Sequence, residues 1–187
     1  VFGDGFESPI DESRQARPLS NYGQSILWGE QLVTQNCPRS FVVRCPALYS
    51  RYGNNVIRQL TQIALAGKEK ITMISDEFIS PTPAFLVAQT AIELATEETL
   101  YGVYHASTSG ACSWYELVDA FVKKLELDVE VVPMPSARWG APAARPAYSA
   151  LDNLMLRTLG RDNFPGWHMA LDAFLETNGE EIIWAMS

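Results

Sequence analysis

Tyr22-Gly23-Gln24-Ser25-Ile26-Leu27-Trp28-Gly29-Glu30 is the stretch on which the reading of this chain turns. Ser20 and Asn21 precede it, and both residue types cap the free N–H groups of a helix start. Ile26, Leu27, Leu32 and Val33 recur at helical spacing, so a helix is expected from Ser20 or Asn21 to about Gln35. A tyrosine at a helix start with a cation four residues on is a proton-transfer device. The two side chains share a face, and the positive charge lowers the phenol from its usual pKa of about 10. Here the residue at that spacing is Ile26, so half of the device is present.

The pattern outward from this helix alternates. Phe41-Val42-Val43-Arg44-Cys45, stopped by Pro46, reads as a buried strand. Asn54 or Asn55 caps a helix expected to run to about Ala66 and to stop at Gly67. Ile71-Thr72-Met73-Ile74 is a second strand, and Pro83 suits the start of a helix from Ala84 to Thr96. Gly102-Val103-Tyr104-His105-Ala106 is a third strand. Ser113 and Glu116 form a capping box that opens a helix to about Leu125. Val129 to Val132 is a fourth strand, ended by Pro133, and residues 134–149 are expected as an ordered loop. Helices near 151–159 and 167–177 close the chain. Strands alternating with helices give an α/β fold with mostly parallel strands.

Composition narrows the function. The 187 residues include 14 basic and 22 acidic ones, a net charge of −8, with 47% apolar and 19% charged. This is globular composition for one domain, or one with a small appendage. The acidic balance excludes a nucleic-acid surface, which needs clustered Lys and Arg, but leaves room for a local phosphate pocket. No apolar run approaches the ~18 residues of a membrane span. Asp4, Glu7, Asp11 and Glu12 exclude a signal peptide here, so a cytoplasmic location is expected. Cys37, Cys45 and Cys112 are odd in number and form no C-x-x-C, so each reads as a reduced, small buried hydrophobe. His105 and His168 read as hydrogen-bonded structural residues, and no metal motif occurs. Gly3-Asp4-Gly5 opens like a dinucleotide fingerprint, but Ser8 and Pro9 follow, so it reads as a glycine turn.

Several blocks in order carry a resemblance. They are Val1-Phe2-Gly3-Asp4-Gly5, Pro9-Ile10-Asp11-Glu12, Tyr22-Gly23-Gln24-Ser25 with Gly29-Glu30, and Arg44 to Tyr49. Gly53-Asn54-Asn55-Val56, Asp76 with Ser80-Pro81-Thr82, and Gly102-Val103-Tyr104-His105 follow. Ser113-Trp114-Tyr115-Glu116 and Arg145-Pro146 with Ser149, Leu151 and Asp152 complete the series. Together they resemble the dTDP-4-dehydrorhamnose reductase family of the extended short-chain dehydrogenase/reductase superfamily, in its C-terminal portion. The resemblance implies a Rossmann-like α/β fold with a small substrate-binding subdomain. It also implies NADPH- or NADH-dependent reduction of a dTDP-linked 4-keto sugar, and it allows a homodimer.

The resemblance begins just before the catalytic tyrosine, and Val1 rather than Met opens the sequence. The expectation is therefore the later part of a reductase of about 300 residues, without its coenzyme-binding half. Tyr22 matches the catalytic acid and the coenzyme-facing tyrosine. Ile26 stands at the lysine position, Ala47 where many relatives have a tryptophan near the sugar, and Glu77-Phe78-Ile79 where "Q-x-G" is usual. Loss of the lysine implies sugar-nucleotide binding without turnover, and no coenzyme bound by this chain alone. The substrate-side candidates are Asn55, Arg145, Trp114 and Ala47. Arg145 is either a diphosphate clamp or a structural arginine paired with an acid. Asn55 either offers its amide to a phosphate or is an ordinary N-cap. Trp114 faces the ligand or the core, and Asp76 and Thr82 shape a loop. The alternative is a non-catalytic regulatory subunit of the methionine adenosyltransferase beta type, which Ile26 fits.

Overall fold

The computed structural model describes residues 1–57, 59, 69–97, 99–141 and 143–184. Helix α1 is Asn21–Asn36, opened by Ser20, whose Oγ accepts from the Gly23 N–H. Gly23 is the buried residue of α1, and a Cβ there would meet the Pro18 side chain at 2.8 Å. Glycine is thus what lets the entering chain cross the helix closely. Strand β1, Phe41–Arg44, follows and pairs in parallel with β6, Gly102–His105, from Phe41↔Gly102 to Arg44↔His105. The Arg44 guanidinium forks the Glu30 carboxylate, Nε to Oε1 at 3.0 Å and Nη2 to Oε2 at 2.7 Å. Both side chains are only about a tenth exposed, at 13% and 11%. This charged fork moors α1 to β1.

Three more strand pairs complete the framework. β2, Leu48–Tyr49, lies parallel to β5, Thr82–Pro83; β3, Lys70–Ile74, lies parallel to β8, Glu130–Met134; and β4, Phe78–Ile79, is antiparallel to β7, Cys112–Ser113. Among the described residues mostly parallel pairing is therefore observed, as four two-stranded ladders. Helix α2, Ala84–Thr96, follows Pro83, and α3, Trp114–Lys124, carries the expected capping box of Ser113 and Glu116. Short helices α4, Ser136–Trp139, and α5, Leu154–Thr158, precede α6, Trp167–Trp184.

The main core joins Tyr49, Ile71, Leu117, Phe121, Trp167 and Phe174, so β2, β3, α3 and α6 share one apolar interior. Each such side chain contributes about 1.5–3 kcal/mol by leaving water. Phe2, Ile10 and Leu151 form a second cluster, and Leu94, Tyr104 and Leu156 a third.

Some expectations are corrected. β1 is half-buried rather than buried, because its fourth residue turns a charge toward α1. Cys37 and Cys45 are exposed, and Cys112 alone fits the buried reading. The first caps the end of α1 and the second lies past the end of β1, outside the clusters. Pro133 does not end its strand but pairs with Met73 inside it. Glu130 N–H donates to Glu69 O, and Ser75 N–H to Met134 O. Even-numbered residues of β8 therefore bond to β3, and the missing N–H of Pro133 falls on the free side. Residues 134–149 hold α4 besides loop. The helix expected to Ala66 is helical at 56, 57 and 59, and most of its length lies outside the described residues. His168 is exposed and stacks on Trp167.

His105, in contrast, is fully buried. Its Nδ1 lies 3.0 Å from the Ile10 carbonyl and 3.1 Å from the Asp152 carbonyl. Both are acceptors, which assigns the proton to Nδ1. Burial holds the imidazole below its ordinary pKa, with the Glu12 carboxylate opposing and Arg44 assisting. The folded chain then binds fewer protons than the unfolded chain as pH falls below about 6.5. Stability is expected to fall through that window toward the depressed folded value. The measurement is urea unfolding at a series of pH values from 7.5 down to about 5. His105→Asn, whose Nδ2 stands near Nδ1, should show a shallower fall than the parent chain.

Candidate functional site

Residues 76–83 form a strip to which most of the candidate residues attach. Asp76 begins it, accepting from the Ser136 N–H at 2.7 Å and the Ser136 hydroxyl at 3.2 Å. Phe78 pairs with Ser113 across β4 and β7, which sets Trp114, the first residue of α3, beside the strip. On the other side, Phe78 N–H donates to Ala147 O and Ser149 N–H donates to Phe78 O, each at 2.8 Å. The Phe78 and Tyr148 rings stack at 6.0 Å and 27°. Ala147 N–H also donates to the Asp4 carboxylate at 2.9 Å. The segment that carries Arg145 is thereby fixed at three successive residues, 147 to 149.

Farther along, Ser80 Oγ donates to Gly110 O at 2.8 Å, and Thr82 Oγ1 accepts from the Thr108 N–H at 3.1 Å. Thr82 N–H donates to Ala47 O at 2.9 Å, which brings Ala47 to the same strip. Ala47 and Trp114 are half-buried and both pack against the main core. Asp76 and Thr82 are loop-shaping, as expected, each using its side chain on backbone.

Asn55 is occupied otherwise. Its Nδ2 donates to Ser50 O at 2.7 Å and Tyr52 O at 3.1 Å, and its Oδ1 accepts from the Ile57 N–H at 3.1 Å. Those bonds brace the loop and cap the start of the helix, so of its two readings the geometry matches the cap. Arg145 is exposed, and among the described residues no ion pair or hydrogen bond engages its guanidinium. Its electrostatic partner is Glu77, which is only 7% exposed. Burial pushes the Glu77 carboxyl up from its ordinary pKa; Arg145 opposes this and Asp76 adds to it.

Tyr22 stands apart on α1, whose side-chain tie runs to β1. Its ring is 76% exposed, and Ile26, one turn on, is 42% exposed. Ile26 offers neither charge nor donor on that face. Gly3 does not form a phosphate cradle either: a Cβ there would meet Arg17 O at 2.4 Å, so its small size serves a backbone crossing, and no helix follows Gly5.

Sequence reasoning met Glu77 only as a departure from a motif and passed over the Phe78–Tyr148 stack, Asp4 as a brace and Glu12. The adjacent acids Asp76-Glu77 were the one local signal; the others need contacts across more than sixty residues. A surface cavity of about 320 Å³ is lined by Arg39, Phe41, Glu97 and Tyr101 and contains none of the candidates. Among the described residues no group of three or more His, Cys, Asp or Glu could hold a metal, and no helix is long and apolar enough to cross a membrane.

A family profile described as RmlD substrate binding domain matches residues 1–179. A dTDP-4-dehydrorhamnose reductase from Burkholderia thailandensis is 30% identical, over 91% of this chain and 62% of that protein. The spore coat polysaccharide biosynthesis protein SpsK of Bacillus subtilis is 29% identical, over 94% of this chain and 61% of its own. Among solved structures, a dTDP-4-dehydrorhamnose reductase from Bacillus anthracis in complex with NADP aligns with a TM-score of 0.87 at 34% identity, over 95% of this chain and 62% of that one. A dTDP-glucose 4,6-dehydratase from the same organism, at 16% identity and a TM-score of 0.74, shares the fold. The chain thus has the Rossmann-like architecture of the extended short-chain dehydrogenases, and it spans about six tenths of the length of these curated relatives.

The Asp76–Ser136 contact is testable by itself. Asp76→Ala removes a charge-assisted bond to a helix N-terminus and is expected to cost about 1 kcal/mol. Hydrogen exchange should show the Ser136 amide accelerating while the α3 amides stay protected.

Proposed function

The chain belongs to the RmlD substrate-binding-domain family, and from this we propose that the strip 76–83 and its attached residues are the sugar-nucleotide side of a dTDP-4-dehydrorhamnose-type reductase. One observation carries the reading. Arg145 presents a guanidinium that no ion pair or hydrogen bond engages among the described residues, from a segment pinned to the strip to which Trp114 and Ala47 also attach. A guanidinium grips two phosphate oxygens at once and keeps its charge at any working pH, which suits a dTDP-linked sugar. Trp114 and Ala47 border the sugar end, where alanine leaves more room than a tryptophan would.

Tyr22 is the proposed proton donor to the oxygen of a 4-keto group. A nicotinamide coenzyme, as in the NADP complex of the Bacillus anthracis relative, would supply the hydride. In this chain Ile26 withholds the cation that would favour the phenolate, so the proposed balance is binding with poor turnover. The named relatives are reductases and biosynthetic proteins, and no observation favours a methionine adenosyltransferase subunit.

Calorimetric titration with dTDP tests the binding side. Saturable binding is expected, weakened about tenfold or more by Arg145→Ala, as for loss of one charged hydrogen-bonding group. No binding at millimolar dTDP refutes the reading. For the chemistry, measured in a full-length protein completed with a coenzyme-binding half, NADPH oxidation with a dTDP-4-keto sugar is expected to rise at least about tenfold in Ile26→Lys, a fraction of the usual general-acid effect. An unchanged rate removes Tyr22 from the acid role.

A further inference from the structure

Gly3-Asp4-Gly5 is no phosphate cradle, and the reading above gives it no part. Its shape is nonetheless specified. Gly3 is buried where a Cβ would meet Arg17 O at 2.4 Å, and Gly5 has a φ of +94°, in the region that glycine favours. Asp4 stands exposed between the two. Its Oδ1 accepts from the Ala147 N–H at 2.9 Å, across 143 residues of sequence. The Ala147 carbonyl accepts in turn from the Phe78 N–H at 2.8 Å. Both backbone polar groups of Ala147 are therefore engaged, one by the strip and one by the turn.

Arg145, two residues earlier, has little backbone freedom of its own. Pro146 locks its own φ at about −65°. It also keeps Arg145, the residue before it, in the extended region. The soft angles left between Arg145 and the strip are those that turn the peptide plane bearing the Ala147 N–H, and Asp4 holds that plane.

We propose that Asp4 is a positioning residue for the anion site: its carboxylate fixes the Arg145 segment, so that the guanidinium meets a diphosphate without first having to be ordered. This deepens, and rests on, the diphosphate reading of Arg145. Ordering a mobile segment on binding costs affinity, and a segment held beforehand avoids that cost. As a charge, Asp4 acts the other way, because an acid close to a phosphate site repels the ligand. Its two effects on dTDP affinity thus have opposite signs, and substitution separates them.

The test is calorimetric titration with dTDP of the parent chain and two variants. Asp4→Asn keeps the accepting oxygen and removes the charge, so it should bind at least as tightly as the parent. Asp4→Ala removes both, and it should bind several-fold more weakly even though a negative charge has gone. Hydrogen exchange at the Ala147 amide should accelerate in Asp4→Ala and not in Asp4→Asn. Urea midpoints close to the parent's are expected for both, since the side chain is exposed. In an Arg145→Ala background, titrated at correspondingly higher dTDP, Asp4→Ala should cause no further loss, because Asp4 acts through Arg145. Parent-like or tighter binding by Asp4→Ala overturns the proposal. So does an equal loss in Asp4→Asn, or an undiminished loss in the Arg145→Ala background. Each of these leaves the diphosphate reading standing. Absence of dTDP binding by the parent overturns the diphosphate reading and the positioning role with it.

Discussion

The buried imidazole of His105 is the constraint through which distant parts of the chain are held in register. Its Nδ1–H is shared by the carbonyls of Ile10 and Asp152, 95 and 47 residues away. Around it, Ile10 N–H donates to Ala150 O and Asp152 N–H to Ile10 O, while Glu12 accepts from the His105 N–H. The N-terminal segment, β6 and the residues before α5 are thus locked by polar bonds inside a water-poor region, where an unmade bond is costly. The lock reaches the candidate site. Ile10 anchors the segment that carries Asp4, Asp4 holds Ala147, and Ala147 with Ser149 holds the Arg145 segment to Phe78. Arg145 is exposed, yet its position is fixed by a chain of contacts that ends in the interior.

Helix α1 is held differently. Gly23 is the one residue it buries, and Ile26, Trp28, Leu32 and Val33 are exposed. Packing therefore contributes little to its place. The Ser20 cap fixes its start and the Glu30–Arg44 fork fixes its axis against β1. A half-buried fork of this kind specifies geometry well, because removing either charge strands the other. Tyr22 is consequently held at a defined point on the surface while the helix face around it stays apolar and, apart from Glu30, free of charge.

Local features were legible in the sequence. The Ser20 and Ser113 caps and the Pro83 start of α2 are all written within a few residues, and each appears as read; the β-rich runs form strands, though β1 is half-buried and β8 continues past Pro133. What was misread depends on neighbours the sequence does not display. Pro133 looked like a stop because proline removes an N–H; its strand has a free side, so nothing was lost. Cys37 and Cys45 looked buried by residue type, but each falls just beyond an element end. Asn55 carried two compatible meanings, and its bonds to Ser50, Tyr52 and Ile57 match the cap. Glu77 was visible only as a departure from a motif. The pairing beside it, Phe78 with Tyr148, joins segments seventy residues apart.

Charge placement separates the two halves of the proposed chemistry. On α1, where proton transfer would need a fixed positive charge, Ile26 supplies an apolar branch and the nearby carboxylate of Glu30 is already consumed by Arg44. At the strip, the positive charge of Arg145 is present and exposed, and among the described residues no ion pair engages it. Substituting a lysine by isoleucine on an exposed helix face costs the fold little, since no interior contact depends on it. Arg145 is placed by contacts at 147 to 149 that also hold the N-terminal segment, and those contacts cannot be loosened without disturbing the structure. The placement of the Arg145 segment thus rests on contacts that also hold the fold, whereas no contact of the fold depends on a charge at position 26.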